Sequence, residues 1–229
     1  MFDIIIWVVR VIGIIVAMEE ELKAIMEYAN VINKEKKYNT VFTICTLNNK
    51  KIVLVKCGVG KVNASRITQL LIDSYNIDYI INTGVAGGLY DSNVLDIVIA
   101  EKLVQHDFDI TVFSHEKGYI TEIGKYISAD KGLIKRAKQI DKNIKIGVIA
   151  TGDQFITNYQ LSKIIEKEFN AIAVEMEGAA VAQVCMLCKV PFIIIRSISD
   201  NPNNKNHLDY EKFLSAATTK VGLFIKNFI

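Results

Sequence analysis

Little in this sequence would divide the chain into separate domains. Only two prolines occur among its 229 residues, and no stretch rich in serine, glutamine or glycine suggests a linker. The sequence also lacks an internal repeat at the spacing of a solenoid. Hydrophobic residues make up 51% of the chain, as expected of an ordered protein with a sizeable core. We therefore expect residues 1–229 to form a single domain.

Neither positive nor negative charge is in large excess. The net charge is only +2, and the lysines near residues 34–37 and 135–136 are interleaved with acidic residues. A protein that binds nucleic acid usually concentrates basic residues on one face. The sequence therefore predicts no nucleic-acid partner.

Cysteine and histidine are too few and too scattered for a metal site. Cys185 and Cys188 form a CxxC pair late in an apolar helical run, whereas redox-active pairs lie at helix N-termini. No second pair completes a zinc site, and His106, His115 and His207 are far apart in the sequence. We expect reduced structural cysteines, no metal or other cofactor, and a cytoplasmic location.

The first ten residues form an apolar segment that is not typical of a signal peptide or a membrane anchor. Asp3 precedes the apolar run and Arg10 interrupts it. A signal peptide carries its positive charge before the apolar region, and a membrane span needs about 20 apolar residues. We expect a strand with an apolar extension and no stable membrane association; an anchor and a wrongly chosen start codon are the alternatives.

Strand-like and helix-like segments alternate along the chain. Strand patterns cover residues 11–17, 41–47, 51–57, 78–82, 95–104, 145–150 and 192–195. Helical patterns cover residues 20–28, 62–75, 132–140, 160–169, 178–187 and 210–228. This alternation predicts an α/β fold in which helices cover both faces of a central mixed, largely parallel sheet. Residues 105–128 form a long irregular segment of a kind that is often functional.

Acidic residues stand at three strand or helix ends. The Glu19-Glu20-Glu21 run follows the first strand, the Glu175-Met176-Glu177 run precedes a helix, and Asp200 follows an apolar strand. Ligands usually bind at strand ends in open α/β sheets, where carboxylates suit proton chemistry or accept bonds from ligand hydroxyls. Partial desolvation would raise the pKa of Asp200 and suit a proton donor. The alternative for each acid is a helix-start charge or an N-cap.

Two segments that contain glycine suggest ligand loops. Residues 58–61, Gly-Val-Gly-Lys, lack the spacing of a phosphate loop and the third glycine of a dinucleotide fingerprint. Residues 83–88, Thr-Gly-Val-Ala-Gly-Gly, would let a ligand approach the main chain closely. From the residues alone, this second segment is either a ligand loop or a plain turn.

Seven segments, taken together and in order, resemble the 5′-methylthioadenosine/S-adenosylhomocysteine nucleosidases. They are Ala17-Met18-Glu19-Glu20-Glu21, Gly58-Val59-Gly60-Lys61-Val62-Asn63-Ala64, Ile81-Asn82-Thr83-Gly84-Val85-Ala86-Gly87-Gly88, His106-Asp107, Thr151-Gly152-Asp153-Gln154-Phe155-Ile156, Ala173-Val174-Glu175-Met176-Glu177-Gly178 and Arg196-Ser197-Ile198-Ser199-Asp200. The resemblance leaves residues 1–10 outside the family pattern. It implies a three-layer αβα sandwich of the nucleoside phosphorylase class and a homodimer. It also implies hydrolysis of the N-glycosidic bond of adenine thionucleosides, which releases adenine and a thio-ribose product.

The resemblance also implies roles for individual residues. Glu21 matches the acid that activates the attacking water, and Asp200, supported by Ser199, matches the acid that protonates N7 of adenine. Glu177 matches the residue that holds the ribose hydroxyls. The other implied substrate contacts are Met176 at the sugar, the purine-pocket residues Val85, Ala86, Gly87, Phe155 and Ile156, the apolar walls Val59 and Tyr210, Glu175, and Phe113 from the neighbouring subunit.

The sequence departs from the family pattern in three places. Val16 stands where glycine is common, and Val85 stands where serine is common, which removes a hydroxyl near the pocket. Residues 114–119 replace a stretch that is usually rich in aromatics. The subunit contact and the preference for the thio substituent therefore stay open.

Three other functions compete with hydrolysis. A nucleoside phosphorylase would need arginines or comparable donors for phosphate, whereas residues 18–21 are Met-Glu-Glu-Glu and only Lys61 favours this alternative. A nucleoside-binding module would bind without turnover, although all three candidate carboxylates are present. An NAD-dependent oxidoreductase would need a GxGxxG fingerprint, which the sequence lacks.

Overall fold

The computed structural model describes residues 10–202 and 209–229 of the chain. The predicted apolar extension, apart from Arg10, and His207 lie outside the described residues. Within the described part, no helix is long and apolar enough to cross a lipid bilayer.

Ten strands and six α-helices make up the described fold. The strands are β1 Val11–Val16, β2 Asn30–Lys37, β3 Thr40–Leu47, β4 Lys50–Lys56, β5 Ile77–Gly88, β6 Ile97–Gln105, β7 Ile127–Ser128, β8 Lys145–Thr151, β9 Ala171–Glu175 and β10 Phe192–Asp200. The helices are α1 Glu19–Met26, α2 Lys61–Ser74, α3 Lys131–Ile140, α4 Tyr159–Phe169, α5 Gly178–Leu187 and α6 Asp209–Phe228, with a 3₁₀ turn at Thr111–Phe113.

All ten strands belong to one mixed sheet. Its strand order is β10-β6-β8-β9-β5-β1-β4-β3-β2, with the short β7 paired to β6, and β10 also pairs with β5. Five strands, β5, β10, β6, β8 and β9, therefore close on themselves, while β1 to β4 extend the sheet beyond them. The central strands β1, β4, β5 and β10 pair in parallel, and the β2-β3-β4 segment is antiparallel.

Helices cover both faces of this sheet. Helix α2 packs against α5 on one face, and α6 packs against α1 and α3 on the other. Fully buried side chains from β1, β4, β5 and β10, such as Ile14, Leu54, Ile81 and Ile194, form the core between these layers. The predicted three-layer αβα sandwich with a mixed sheet is confirmed.

Two strands extend further than the sequence patterns predict. Residues 83–88 are not a loop or turn, because β5 continues through them and pairs with β10 on one side and with β9 at Gly87. Strand β10 likewise runs to Asp200 rather than ending at residue 195. The small and polar residues in these segments have no apolar pattern that would predict a strand. Pairing with neighbouring strands keeps them extended instead.

Strand β2 was not predicted. Its sequence, Asn-Val-Ile-Asn-Lys-Glu-Lys-Lys, is polar and mostly exposed, because β2 is the edge of the sheet and hydrogen bonds only to β3. Charged lysines on an edge strand prevent pairing with another chain. The lysines at 34–37 therefore lie on an edge strand. The short strands β7 and β9 were also missed.

Candidate active site

A largely apolar cavity of about 340 Å³ lies where β1, β5, β9 and β10 end. Thirteen of the fourteen predicted site residues line it: Glu21, Val59, Val85, Ala86, Gly87, Phe155, Ile156, Glu175, Met176, Glu177, Ser199, Asp200 and Tyr210. Ala17, Met18, Gln154 and Val174 complete the lining without having been predicted. Gln154 and Val174 directly precede the predicted residues Phe155 and Glu175 in the sequence. A shared cavity thus brings together acids that are up to 179 positions apart (200 − 21).

Glu21 lies in the first turn of α1, and main-chain donors hold its carboxylate. Its Oε2 accepts hydrogen bonds from the N–H groups of Ala17 (2.8 Å) and Met18 (2.9 Å), and its Oε1 accepts one from Val85 (3.0 Å). Burial raises the pKa of Glu21, and these N–H donors oppose the rise because they favour the ionised form. The result is a fixed, buried carboxyl that can take a proton.

Gly84 leaves the space that the Glu21 carboxylate occupies. A Cβ atom at residue 84 would lie 2.2 Å from Glu21 Oε1 and 2.7 Å from its Cδ. Any side chain there would displace the carboxylate. Gly84 is thus a functional residue that was not predicted, although the glycine run at 83–88 was noted as a place of close approach.

We expect Gly84→Ala to reduce the turnover of this site strongly, because Glu21 must move away from the Val85 N–H. Displacing a catalytic group by about 1 Å can lower the rate on the order of 10²-fold. Steady-state kinetics of the folded variant provides the measurement. Gly132→Ala, in α3 and outside the cavity lining, is the control, since a Cβ there meets only the Asp130 carboxylate, 3.1 Å away. Wild-type kcat in Gly84→Ala would show that Glu21 needs no fixed position.

Glu177 lies between β9 and α5, and it is almost fully buried. Its Oε1 accepts a hydrogen bond from the N–H of Gly60 at 2.8 Å. Burial first, and then the nearby charge of Glu175, raise the pKa of Glu177 to about 8, while Arg196 and the Gly60 N–H oppose the rise. The Gly58–Lys61 loop therefore holds this carboxylate. Its sequence lacks the spacing of a phosphate loop.

Glu175 lines the cavity, but protein donors surround its carboxylate. Oε2 accepts hydrogen bonds from Arg196 (2.5 Å) and from the N–H groups of Glu177 (3.0 Å) and Gly178 (2.7 Å), and the Thr151 hydroxyl donates to Oε1. A carboxylate has about four acceptor positions. The four donors take up these positions; Glu175 lines the cavity, and its predicted contact with substrate stays a prediction.

Asp200 is the last residue of β10, and its carboxyl group is buried at the cavity wall. The Ser199 hydroxyl donates to Asp200 Oδ1 at 2.8 Å. A Cβ atom on Gly87 would lie 3.4 Å from Asp200 Oδ2, so the strand that forms the cavity floor passes close to this carboxyl. Asp200 thus lies in the same cavity as Glu21 and Glu177, and its carboxyl group lies beside Gly87 of β5 and Ser199 of β10.

Aromatic side chains form one side of the cavity. Phe155 is 50% exposed and packs edge-to-face with Tyr210, with their ring centroids 5.2 Å apart. The Tyr210 hydroxyl lies 3.3 Å from the Met18 sulfur. Ile156 is buried beside them. A flat apolar surface of this kind suits a stacked heterocycle.

Phe113 is the predicted site residue that this chain does not bring to the cavity. It lies in the 3₁₀ turn within residues 105–128 and is 73% exposed. Its predicted contribution from a neighbouring subunit stays a prediction.

Lys61, which favoured the phosphate-binding alternative, is held by other side chains. Its Nζ lies 2.6 Å from Asp107 Oδ1 and 3.0 Å from Gln105 Oε1. Asp107 also accepts a hydrogen bond from the main chain of Asp153. The buried Arg196 is likewise paired with Glu175. Neither cation presents a free fork to an anion in the cavity.

Nothing in the described ranges forms a cluster of three or more histidine, cysteine or acidic side chains that could hold a metal ion. All four cysteines are free thiols, and Cys188 stands at the end of α5 rather than at its start. Burial raises the pKa of the Cys185 and Cys57 thiols, which disfavours the reactive thiolate.

Comparisons with known proteins place this site in a family. The sequence model described as "Phosphorylase superfamily" matches residues 11–229. A 5′-methylthioadenosine/S-adenosylhomocysteine nucleosidase of Staphylococcus epidermidis is 40% identical over 212 residues, which cover 90% of this chain and 93% of the relative.

Two solved structures from Helicobacter pylori have the same fold. One is a nucleosidase of the same name bound to butyl-thio-DADMe-Immucillin-A, with 35% identity, a TM-score of 0.91, and coverage of 96% of this chain and 97% of that one. The other is a futalosine hydrolase, with 34% identity, a TM-score of 0.92 and the same coverage. From the family match, these identities and the shared fold, this chain belongs to the phosphorylase superfamily and, within it, to the 5′-methylthioadenosine/S-adenosylhomocysteine nucleosidases, which are N-glycosidic hydrolases.

Proposed function

We propose that this protein hydrolyses the N-glycosidic bond of 5′-methylthioadenosine and S-adenosylhomocysteine and releases adenine and the thio-ribose product. The observation that carries the proposal is the convergence of Glu21, Glu177 and Asp200 on one apolar cavity. Cleavage of a ribosyl bond passes through an oxocarbenium-like state, as in glycosidases. That state needs a protonated leaving group, an activated water and negative charge near the sugar.

Each carboxyl has one of these tasks in the proposed mechanism. Asp200, oriented by Ser199, gives a proton to N7 of adenine and makes it a better leaving group. Glu21, fixed by three N–H donors, takes a proton from the attacking water. Glu177, held through Gly60, binds the ribose hydroxyls and faces the positive charge that develops on the sugar. General acid or base transfer is typically worth about 10²–10⁴-fold in rate.

The apolar lining defines the rest of the proposed substrate site. Phe155 stacks on adenine, and the main chain of Ile156 contacts the edge of the purine. The strand residues Val85, Ala86 and Gly87 form the floor of the purine pocket, and Met176 lies against the sugar. Val59 and Tyr210, both at the cavity wall, surround the alkylthio group.

Water rather than phosphate is the proposed nucleophile. Phosphate needs cationic donors, and both nearby cations, Lys61 and Arg196, are paired with acids. The test is a time course of adenine release in phosphate-free buffer and in buffer with added phosphate. Equal rates support hydrolysis, whereas strict dependence on phosphate would establish a phosphorylase.

A related substrate class is a second candidate. The structural neighbour named futalosine hydrolase matches this chain as well as the nucleosidases do. The same time course should therefore compare 5′-methylthioadenosine, S-adenosylhomocysteine, 5′-deoxyadenosine and an aminofutalosine-type nucleoside. The highest kcat/KM identifies the preferred substrate.

We expect kcat/KM to fall as the pH drops below about 8. Glu177 and Glu21 must be ionised in their proposed roles, and burial raises both pKa values, that of Glu177 to about 8. Protonation below that pKa therefore removes activity well above pH 4.5, the ordinary pKa of a glutamate carboxyl group. The pH dependence of kcat/KM reports groups of the free enzyme. A flat profile between about pH 5 and 8 would contradict this assignment.

We further propose that the protein is a cytoplasmic homodimer in which Phe113 reaches the cavity of the partner. Val112 and Phe113 are 83% and 73% exposed, and clustered exposed apolar side chains mark interaction surfaces. We expect Phe113→Ser to weaken the dimer and raise KM several-fold, as measured by sedimentation velocity and kinetics. Tyr38→Ser, at another exposed aromatic, is the control. Unchanged sedimentation and KM in Phe113→Ser would exclude this contact.

A further inference from the structure

A buried ion pair lies at the back of the cavity, where Glu175 belongs to the lining and Arg196 lies behind it. Arg196, in β10, is 1% exposed, and its Nη2 lies 2.5 Å from Glu175 Oε2 in β9. The same Nη2 donates to Asn82 Oδ1 at 2.6 Å, and the Asn82 amide donates to the main chain of Ile15. Four neighbouring strands, β1, β5, β9 and β10, are thus joined at the depth where they approach the cavity. A buried ion pair often adds little to the stability of the fold, so stability alone does not account for this one.

The other partners of Glu175 all belong to the structure around Glu177. Glu175 Oε2 accepts the N–H groups of Glu177 and Gly178, which are first-turn donors of α5. The Thr151 hydroxyl donates to Glu175 Oε1 and accepts from the N–H of Ala179 at 2.8 Å. These N–H groups at the start of α5 would otherwise lack helical partners. Glu175 and Thr151 together cap α5 and determine where its N-terminus lies.

This capping fixes the position of Glu177, the residue at the N-terminus of α5. The main chain of Glu177 is held by Glu175, and its carboxylate is held by the Gly60 N–H at 2.8 Å. Glu177 lies between the end of β9 and the start of α5, and its carbonyl accepts the first hydrogen bonds of that helix, from the N–H groups of Ala180 and Val181. A shift of the α5 N-terminus would therefore move the Glu177 carboxylate relative to the cavity.

We propose that Glu175, oriented by Arg196 and Thr151, is a positioning residue that holds Glu177 where it can bind the sugar hydroxyls. This inference deepens the proposed function and rests on it. Glu175 contacts the sugar only through Glu177. Its loss should therefore weaken recognition of the ribose hydroxyls specifically, and adenine recognition at Phe155 and Ile156 should be unaffected.

The experiment compares 5′-methylthioadenosine with its 2′-deoxy and 3′-deoxy analogues. The readout is the ratio of kcat/KM for the ribonucleoside to kcat/KM for each analogue. We expect Glu175→Gln to lower this ratio by about 10- to 100-fold, as does Glu177→Gln, because a charge-assisted contact is lost in both. Adding Glu175→Gln to Glu177→Gln should change the ratio little, since the two residues act as a unit.

Thr151 supplies a milder pair of variants. Thr151→Val removes the hydroxyl and should lower the ratio several-fold, whereas Thr151→Ser keeps the hydroxyl and should retain the wild-type ratio. This pair decides the question if Glu175→Gln does not fold once Arg196 is left unpaired. A merely structural role predicts equal losses for ribo- and deoxynucleosides, and that result in Glu175→Gln or Thr151→Val would overturn the proposal.

Binding measurements separate this proposal from the proposed activity. Calorimetric affinities of the same nucleosides give the same ratio without turnover. A wild-type protein that binds them, prefers the ribose form and releases no adenine would contradict only the proposed hydrolysis. Loss of that preference in Glu175→Gln would then still support the positioning role, and its retention would overturn it.

Discussion

Asp200→Asn is expected to abolish adenine release while leaving the protein folded and able to bind nucleoside. The amide has the shape of the carboxyl but cannot transfer a proton to N7 of adenine. Its oxygen can still accept the Ser199 hydroxyl bond, so the end of β10 should keep its structure. We expect kcat to fall by about 10²–10⁴-fold, the usual contribution of general acid catalysis. Chromatographic detection of adenine, with calorimetric binding of the uncleaved nucleoside, provides the measurement.

Asp73→Asn is the matched control for this variant. Asp73 lies on the exposed side of α2, where it only accepts a hydrogen bond from Gln69. The same chemical change there should leave kcat and KM at wild-type values. Thermal unfolding of both variants tests folding independently of activity. Turnover near the wild-type rate in Asp200→Asn would remove Asp200 from the role of proton donor.

Main-chain N–H groups, rather than cations, hold the carboxyl groups of Glu21 and Glu177. Glu21 receives three N–H bonds and Glu177 receives one, and neither pairs directly with a lysine or arginine of residues 10–202 or 209–229. A direct cation would lower the pKa of these carboxyl groups, whereas burial raises it. Arg196, the one fully buried cation in the described part of the chain, binds Glu175 instead. The site thus keeps two basic carboxylates in fixed positions.

Most of the fold could be predicted because apolar periodicity determines where its strands and helices form. Strand β1 and helix α5 have long apolar patterns, and both lie within about two residues of their predicted bounds. Strand β2 could not be predicted, since an exposed edge strand has no buried face to impose a pattern. The ends of β5 and β10 were missed for another reason. Their small and polar residues are ordered by pairing between distant strands.

The cavity was predictable at the carboxylates to which we assign the chemistry and less so at the residues that hold them. Acids at strand ends and the family resemblance identified Glu21, Glu177 and Asp200. Gly84 and the Glu175–Arg196 pair depend on contacts between separate strands, which a single sequence does not reveal. Glu175 carries the same side chain as Glu177, two positions away in the sequence. Only the geometry shows that their carboxylates have different partners.

Glu21→Gln is expected to lower kcat to the same degree as Asp200→Asn, about 10²–10⁴-fold, by removing the base that activates water. A glutamine oxygen could keep the bonds from the Ala17 and Met18 N–H groups. Its NH₂ group would then face the Val85 N–H, which now donates to Oε1. Two donors would oppose each other there, so the variant should lose both the base and its fixed position.

Glu20→Gln supplies a control from the same helical turn. Glu20 is exposed and lies outside the cavity lining, so its variant should retain wild-type kinetics. The role of base also predicts that an added carboxylate can replace the missing group. A small exogenous carboxylate such as formate should restore part of the activity of Glu21→Ala, whose shortened side chain leaves room for it, only if the missing group is a base for water. Adenine release near the wild-type rate in Glu21→Gln without any added carboxylate would show that another group activates the water.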